Sequence, residues 1–512
     1  IVGIKPLGYQ QMSGYLQMVD SSALSPLEKG WHNRLRWLVD DSLALQNPRP
    51  GIFKTFYRNR RDLLTVDKPG FRLFVNPVLY TVGGIDRNNF PDAASINLPI
   101  YLNTRGAVLR GSIGNKLGFY TELSDNIQRA QQFLYQEYSE RERLPGEGFV
   151  KQFGDANGLD YFHTRGYITY QPWSFMRLKF GQDRAFWGQG YQSLQLSDHA
   201  ANYLLFNIST RIWKLEYVNH FTQFIDFIQN KNDTEGTFPR KYGAYHLLNY
   251  HINPRLSIGL FESVIYAAQM PNGTRGLELQ YLNPIIFYRS VEQYIGSPDN
   301  AFLGFTWRAN FFKRLQFYGQ FMLDDYNYSR RNDGTGFWGN KFGWQGGLKY
   351  IDAFNISTLD LQIESNRIRP YTYQHFNVAS NFTQFGQSLG HGAGGNLQDL
   401  HLIARYRPWP AWEFMGHYMW LQQGREIEGD PLNYGTDLDL STLAPRPGDF
   451  GNTIGQGALM TINQLYGRIS WQFWGADAYI DLEGRVRQEN NLRSTSVLFG
   501  LRANIGPRML RF

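Results

Sequence analysis

The 512-residue chain has 16% aromatic residues, 52 glycines, no cysteine and a formal net charge of +7. A mean hydropathy of −0.43, with no run near the roughly 18 apolar residues that a spanning helix needs, excludes a helical membrane protein. Absent cysteine excludes disulfides and Cys-ligated zinc, and Lys and Arg scattered among carboxylates exclude nucleic acid as a partner.

The chain opens at Ile1 without a basic segment and apolar core, so it is read as a mature chain with its signal peptide absent. Residues 1–70 read as a small helical region and residues 71–512 as β structure. In "SPLEKGWHNRLRWLVDDSLALQ", Ser25 is the candidate N-cap and Pro26 takes the first helical position. Leu27, Trp31, Leu35, Leu38 and Leu45 recur near helical spacing and need an apolar surface to cover. The stretch Pro26–Gln46 is therefore expected to plug the periplasmic mouth of the β structure.

From Phe71 onward the residues alternate with period two, the mark of strands. In "ADAYIDLEGRVRQ", Ile480, Leu482 and Val486 share one face, and Tyr479, Asp481, Glu483 and Arg485 share the other. "STLDLQIES" sets Leu359, Leu361 and Ile363 against Asp360, Gln362 and Glu364; "KFGWQGGLKY" sets Phe342, Trp344, Leu348 and Tyr350 against Gln345 and Lys349. "TSVLFGLRANIG" sets Val497, Phe499, Leu501, Ala503 and Ile505 against Ser496, Arg502 and Asn504. Many long strands with abundant aromatics fit an all-β transmembrane antiparallel barrel better than a soluble sandwich. Its apolar face meets lipid and its charged face lines a polar lumen, where opposed signs such as Asp481 and Arg485 are expected to pair.

The approximate strands are 71–82, 101–112, 116–126, 161–171, 174–183, 203–211, 213–228, 240–252 and 255–268. The others are 300–312, 314–328, 341–353, 356–368, 399–408, 411–423, 462–474, 476–488 and 494–505. That makes about 18, an even number as such barrels require. Tight turns are expected at Gly114-Asn115, Pro172-Trp173, Asn253-Pro254, Lys313, Phe354, Pro408-Trp409-Pro410 and Gly475. Long loops alternate with them at 83–100, 127–160, 184–202, 269–299, 369–398 and 424–461, provided that 276–288 is a folded loop. The long loops are expected outside the cell, with both barrel ends facing the periplasm and outer-membrane lipid around the wall.

"GQSLG" at Gly386–Gly390, followed by His391, matches the pattern of a nucleophile elbow. That chemistry needs a strained strand-to-helix turn in an α/β-hydrolase sheet, whereas this stretch lies between barrel strands. No enzyme is expected. "NKNDTEG" at Asn230–Gly236 lacks the acidic first ligand and distal Glu of a calcium loop, and the ten histidines show no H-E-x-x-H spacing. No metal or cofactor is expected.

The loops "GQDRAFWGQGYQSLQLSD", "LQYLNPIIFYRSVEQ" and "RPYTYQHFNVASNFTQFGQSLGHGAGGN" mix aromatics, amides, Arg and His. Flat rings can stack on the C–H faces of sugars while amides and guanidinium groups take hydroxyls. Trp187, Tyr191, Tyr288, Arg289, Tyr373, His375 and His391 are the candidate polysaccharide-binding residues; the alternative is that these loops fill the barrel and satisfy one another.

"GQDRAFWGQGYQSLQLSD", "LQYLNPIIFYRS" and "QFGQSLGHGAGGN" resemble the signatures of the capsule-assembly Wzi family of outer-membrane proteins, most nearly its gliding-motility-associated branch. The similarity runs from about Leu7 to the closing "FGLRANIGPRMLRF", whose Phe512 fits the terminal aromatic of outer-membrane proteins. It implies an eighteen-stranded barrel, a helical bundle closing the periplasmic end, and a surface lectin that tethers exported polysaccharide. Where the family pattern has a Pro-containing run, this chain has "QSLGHGAGG" (Gln387–Gly395), which predicts a more flexible loop.

The expected function is non-catalytic polysaccharide binding or tethering at the outer membrane, in capsule attachment or in gliding and adhesion machinery. The alternatives are a structural subunit of a larger secretion or motility complex, with other outer-membrane proteins as partners, and a solute channel.

Overall fold

The structure is a computed structural model that describes residues 4–5, 9–46, 61–90, 99–154, 157–227, 238–270, 273–284, 287–295, 299–330, 336–474 and 477–508. Eighteen antiparallel strands close into one barrel. The first nine are Phe71–Asn88, Ile100–Ile113, Leu117–Arg129, Gly158–Trp173, Met176–Asp183, Tyr203–Ile212, Leu215–Ile225, Arg240–Asn253 and Leu256–Ala267. The second nine are Asn300–Phe311, Leu315–Asp325, Lys341–Tyr350, Leu359–Ile368, Leu397–Tyr406, Trp412–Arg425, Ala458–Trp474, Ala478–Glu489 and Leu492–Ala503. The last pairs with the first, Ala503 opposite Leu79, and closes the ring. Closure removes the unpaired edge that an open sheet would expose.

Burial follows the alternation of the sequence. Leu482 and Val486 face outward while Asp481, Glu483 and Arg485 are buried inside. Leu465, Val497 and Phe499 extend the apolar exterior over neighbouring strands, as a lipid-facing wall requires. Trp173, Trp213, Phe312, Phe354 and Trp409 are exposed around the end where the short turns lie. Residues 279–282 and 288–295 are a 3-10 turn and a helix, so this segment is a folded loop.

Several local expectations shift. The inner-face charges do not pair as expected: Asp481 accepts from Arg502 Nε at 2.6 Å and Ser470 Oγ at 2.5 Å on the flanking strands. Arg485 instead donates to Gln131 Oε1 at 2.7 Å. Cross-strand neighbours are nearer than same-strand residues two or four apart. The turn expected at Pro172-Trp173 sits at residues 174–175, after a register shift between Tyr170 and Trp173. Ile505 leaves the lipid face, because Asn504 at φ 57° turns the chain inward after Ala503 and Ile505 then lines an interior cavity. Gly475, the loop 230–236 and Phe512 lie outside the described residues.

The helices begin as the sequence dictates. Ser25 and Glu28 form a reciprocal capping box, with Ser25 N to Glu28 Oε2 at 2.7 Å and Glu28 N to Ser25 Oγ at 3.3 Å. The expected run divides into α1 (Pro26–Val39) and α2 (Asp41–Gln46), because Asp40 Oδ1 accepts from Ser42 N at 3.0 Å and starts a second helix. Leu35 is exposed rather than covered, and the contact face of α1 runs through Gly30, Trp31 and Arg34 instead. Trp31 Nε1 donates to the Arg407 carbonyl at 3.4 Å, and Arg34 donates to the Pro410 carbonyl at 2.5 Å and to the Tyr479 hydroxyl. These partners lie at the short-turn end, which the helices cover. A buried ion cluster reinforces the contact: Arg110 of the wall reaches Asp41 at 2.7 Å and Asp62 at 3.0 Å, and Arg61 reaches the same two carboxylates. Residues 64–68 already form a strand against the start of Phe71–Asn88, and Ile4–Lys5 pairs with Phe186–Trp187.

Candidate functional site

The loops 184–202 and 369–396 turn inward and pack within the ring of strands. Trp187 is fully buried, edge-on to Tyr245 at 6.0 Å and Phe261 at 5.9 Å on the inner wall. Tyr373 is fully buried, donates from its hydroxyl to the Leu194 carbonyl at 3.0 Å and accepts from the His391 amide at 3.2 Å. Ser197 N donates to the Leu389 carbonyl at 2.7 Å, which joins the two loops. Gly390 makes this packing feasible, since a Cβ there would lie 2.5 Å from the Tyr373 ring. The run Gln387–Gly395 is therefore a packed, largely buried segment, and the added flexibility expected from its missing proline is not seen.

Three wall contacts pin the longer loop. Lys241 Nζ donates to the Asn381 carbonyl at 2.9 Å and to Thr383 Oγ1 at 2.7 Å. Lys341 Nζ donates to the Gln374 carbonyl at 3.1 Å and pairs with Asp324 at 2.8 Å, while Asp324 accepts from the Tyr373 amide at 2.7 Å. His391 Nε2 lies 2.8 Å from Asp399 Oδ2, which His401 Nε2 also meets at 3.1 Å. Asn366 holds the other oxygen, Asp399 Oδ1, at 2.8 Å, and His401 Nδ1 lies 3.0 Å from His417 Nε2. Tyr191 packs its ring on His401 and His417 at 5.2 and 4.9 Å, and its amide donates to Glu364 at 2.6 Å.

The structure thus brings Trp187, Tyr191, Tyr373 and His391 into one interior assembly. His375 is at its edge, largely buried beside the exposed Phe376 at 4.2 Å between ring centroids. Burial, then the charge of Lys341, pushes the His375 imidazole down to about 4. Tyr288 stands apart in α3 (Tyr288–Ile295), where its hydroxyl donates to the Tyr281 carbonyl at 2.8 Å and lies 2.6 Å from His246 Nε2. The side chain of Arg289 lies outside the described residues.

The serine of "GQSLG" sits in a two-strand hairpin, Thr383–Gln384 with Gln387–Ser388. Both ring nitrogens of His391 are engaged, Nε2 by Asp399 and Nδ1 by the Ala393 amide at 3.3 Å. His391 is not available as a base for Ser388. His391, Asp399 and His401 offer ligand atoms within 4.8 Å of one another, a spacing a metal could use. A metal on His391 Nε2 would put a proton on Nδ1, facing the Ala393 N–H. The group fits a hydrogen-bond network better than a metal centre.

Aromatic residues outside the expected set form the accessible surface at the long-loop end. Phe337 packs on Phe450 at 5.6 Å and on Trp338 at 5.9 Å, and the Arg446 guanidinium lies 3.8 Å over the Trp338 ring. Gly336, at φ 68°, lets this loop approach the Asn452 backbone. Phe450 and Tyr328 are exposed, and Asp449 beside them accepts from Arg446 Nε at 3.0 Å. The signal in the sequence was "GFWGNKF" together with "PRPGDFGN", two aromatic loop segments far apart along the chain.

No family model matches the chain, and no curated protein sequence matches it. Among solved structures the chain is similar to Wzi of Escherichia coli, described as an outer-membrane protein involved in group 1 capsule assembly and as a carbohydrate-binding β-barrel. The two share 13% identity over 99% of this chain and 94% of that one, with a TM-score of 0.56. Pseudomonas aeruginosa OpdL matches with 8% identity over 84% of this chain and 98% of that one, at a TM-score of 0.44. Pseudomonas aeruginosa OpdK, solved with vanillate, matches with 9% identity over 84% and 98%, at a TM-score of 0.45. At such identities the likeness concerns fold, and the fold is a Wzi-like closed β-barrel.

Proposed function

We propose that the protein is a non-catalytic outer-membrane barrel that binds or tethers exported polysaccharide at the cell surface, in capsule attachment or in gliding and adhesion machinery. The observation that carries this reading is the filled lumen: two long loops are packed into the barrel and hydrogen-bonded to its wall. A solute channel needs an open path, whereas a rigid filled barrel suits presentation of its loop surface. The carbohydrate-binding description of Wzi supports the same reading through the shared fold.

In this orientation the short-turn end and the helices Pro26–Val39 and Asp41–Gln46 face the periplasm, and the barrel presents its long loops outside. The polymer lies across the rim of Phe337, Trp338, Phe450, Tyr328 and Arg446, where rings can stack and charged groups can bond hydroxyls. Of the seven loop residues in the candidate set, His375 serves at the edge of the loop assembly, next to the exposed Phe376, and Tyr191 faces the interior. Trp187, Tyr288, Tyr373 and His391 hold the loops in shape. The test is a pulldown of the host's own surface polysaccharide with purified full-length protein. Retention by the intact protein and loss on Trp338→Ala with Phe450→Ala is the expected result; no retention by the intact protein sinks the reading.

A further inference from the structure

Within the barrel, beneath the loop layer, lies a cavity of about 770 Å³. That falls in the range of roughly 300–1,000 Å³ typical of small-ligand sites. Its lining includes Tyr191, Gln131, Gln362, Arg405 and Arg485, and basic side chains outnumber acidic ones. The acids are already engaged. Glu122 accepts from the Tyr120 hydroxyl at 2.6 Å, Glu147 lies 2.7 Å from His163 Nδ1, and Glu483 accepts from the Tyr80 hydroxyl at 3.2 Å.

Two guanidinium groups are held differently. Arg485 is 6% exposed and donates to Gln131 Oε1, and its Nε has no partner among the described residues. Arg405 donates to Gln362 Oε1 at 3.3 Å, and among the described residues no carboxylate lies within 4.0 Å of either group. Amide partners orient a guanidinium without neutralising it, and burying such a charge is costly unless an anion joins it. The planar fork of Arg matches a carboxylate in two parallel hydrogen bonds. Tyr191, on the same cavity, is immobilised by the hydrogen bond from its backbone N–H to Glu364 and its packing on His401 and His417.

We propose that this cavity binds an acidic sugar, a hexuronate, with its carboxylate on Arg405 and Arg485 and its ring beside Tyr191. The proposal deepens the carbohydrate reading above and rests on it for the sugar; the cavity supplies the charge selection. The two guanidinium groups lie on different strands, Leu397–Tyr406 and Ala478–Glu489, so the site exists only in the closed barrel.

Calorimetric titration of the intact protein in detergent with D-glucuronate, D-glucose and acetate decides the matter. Saturable glucuronate binding is expected, with glucose and acetate each at least about tenfold weaker. Arg405→Gln and Arg485→Gln should each weaken glucuronate about tenfold while the barrel keeps its heat-modifiable gel migration. Absent glucuronate binding, equal binding of glucose or acetate, or unchanged binding in both folded variants would overturn the proposal. Should a variant fail to fold, the three ligand arms on the unaltered protein still decide. A failure here is separable from failure of the surface reading, which is judged by polymer retention and the Phe450 and Trp338 variants.

Discussion

Asp399 Oδ2 lies 2.8 Å from Nε2 of His391, and both side chains are wholly buried. The contact ties the far end of the loop 369–396 to the strand Leu397–Tyr406, and His401 and Asn366 complete the carboxylate's hydrogen bonds. Removing the acceptor would leave several donors buried without a partner. Asp399→Ala should destabilise this packing by about 3–5 kcal/mol. Limited proteolysis checks it: new cuts within 369–396 are expected while the barrel stays intact, and an unchanged digestion pattern would contradict the latch.

His375 supplies a pH dependence in the same loop. Burial first, and Lys341 second, hold its imidazole at about 4, below the ordinary 6.5. The unfolded loop therefore takes up a proton before the folded one does, so stability is fully present above about 6.5 and is lost progressively as pH falls towards 4. Protection factors across 373–382, with the pH dependence of intrinsic amide exchange divided out, should fall between pH 6.5 and 4. His375→Gln should flatten that response.

The barrel was legible because one face of each strand must suit lipid and the other a wet interior. Leu482, Phe499 and Ile363 announced the wall directly, and eighteen such segments gave the ring. The helix start was legible through Ser25, Pro26 and Glu28, a local code read by backbone amides. The interior was not. His391 and Asp399 are eight residues apart, but Asn366, which bonds Asp399, and Tyr191, which packs on His401, come from another strand and another loop, and only closure of the ring brings them together. Aromatic loops likewise fit both packing and sugar binding, and composition cannot say which rings turn inward. Trp187 turns in and Phe450 turns out.

Strand register gives a sharp contrast on Ala478–Glu489. Leu482 faces outward, whereas Tyr479 meets Arg34 of the helices at the short-turn end. Leu482→Arg near mid-bilayer should cost about 2–4 kcal/mol and reduce insertion. Tyr479→Arg should insert more readily, since position 479 is on the polar inner face and does not meet lipid. Comparable yields of folded barrel from the two variants would overturn the register.

The helices should act as a seal. Arg110 binds both Asp41 and Asp62, and Trp31 and Arg34 bond the backbone of the 407–410 turn. Planar-bilayer recordings of the intact protein should show little conductance. Arg110→Ala combined with Trp31→Ala and Arg34→Ala removes both sets of contacts and should raise the frequency of opening steps. A large, steady conductance in the unaltered protein would favour the channel reading.

The last prediction separates surface rings from buried ones. Phe450 is exposed and packs on Phe337, while Trp338 is half-buried beneath Arg446. Each ring should contribute on the order of 1 kcal/mol to a bound glycan, so single alanine variants should weaken retention only partly. A polymer touching several such sites gains avidity, and Trp338→Ala with Phe450→Ala should release most of it from cells at unchanged barrel abundance. Trp187→Ala with Tyr373→Ala should behave differently, because both side chains are fully buried in the loop assembly. Loss of such aromatic packing costs about 3–5 kcal/mol per site, so that pair should reduce folded barrel before it affects binding. Quantifying barrel and surface polymer in the same cells distinguishes the two. If the rim pair keeps its polymer while the barrel is present in full, the surface rings do not carry the binding.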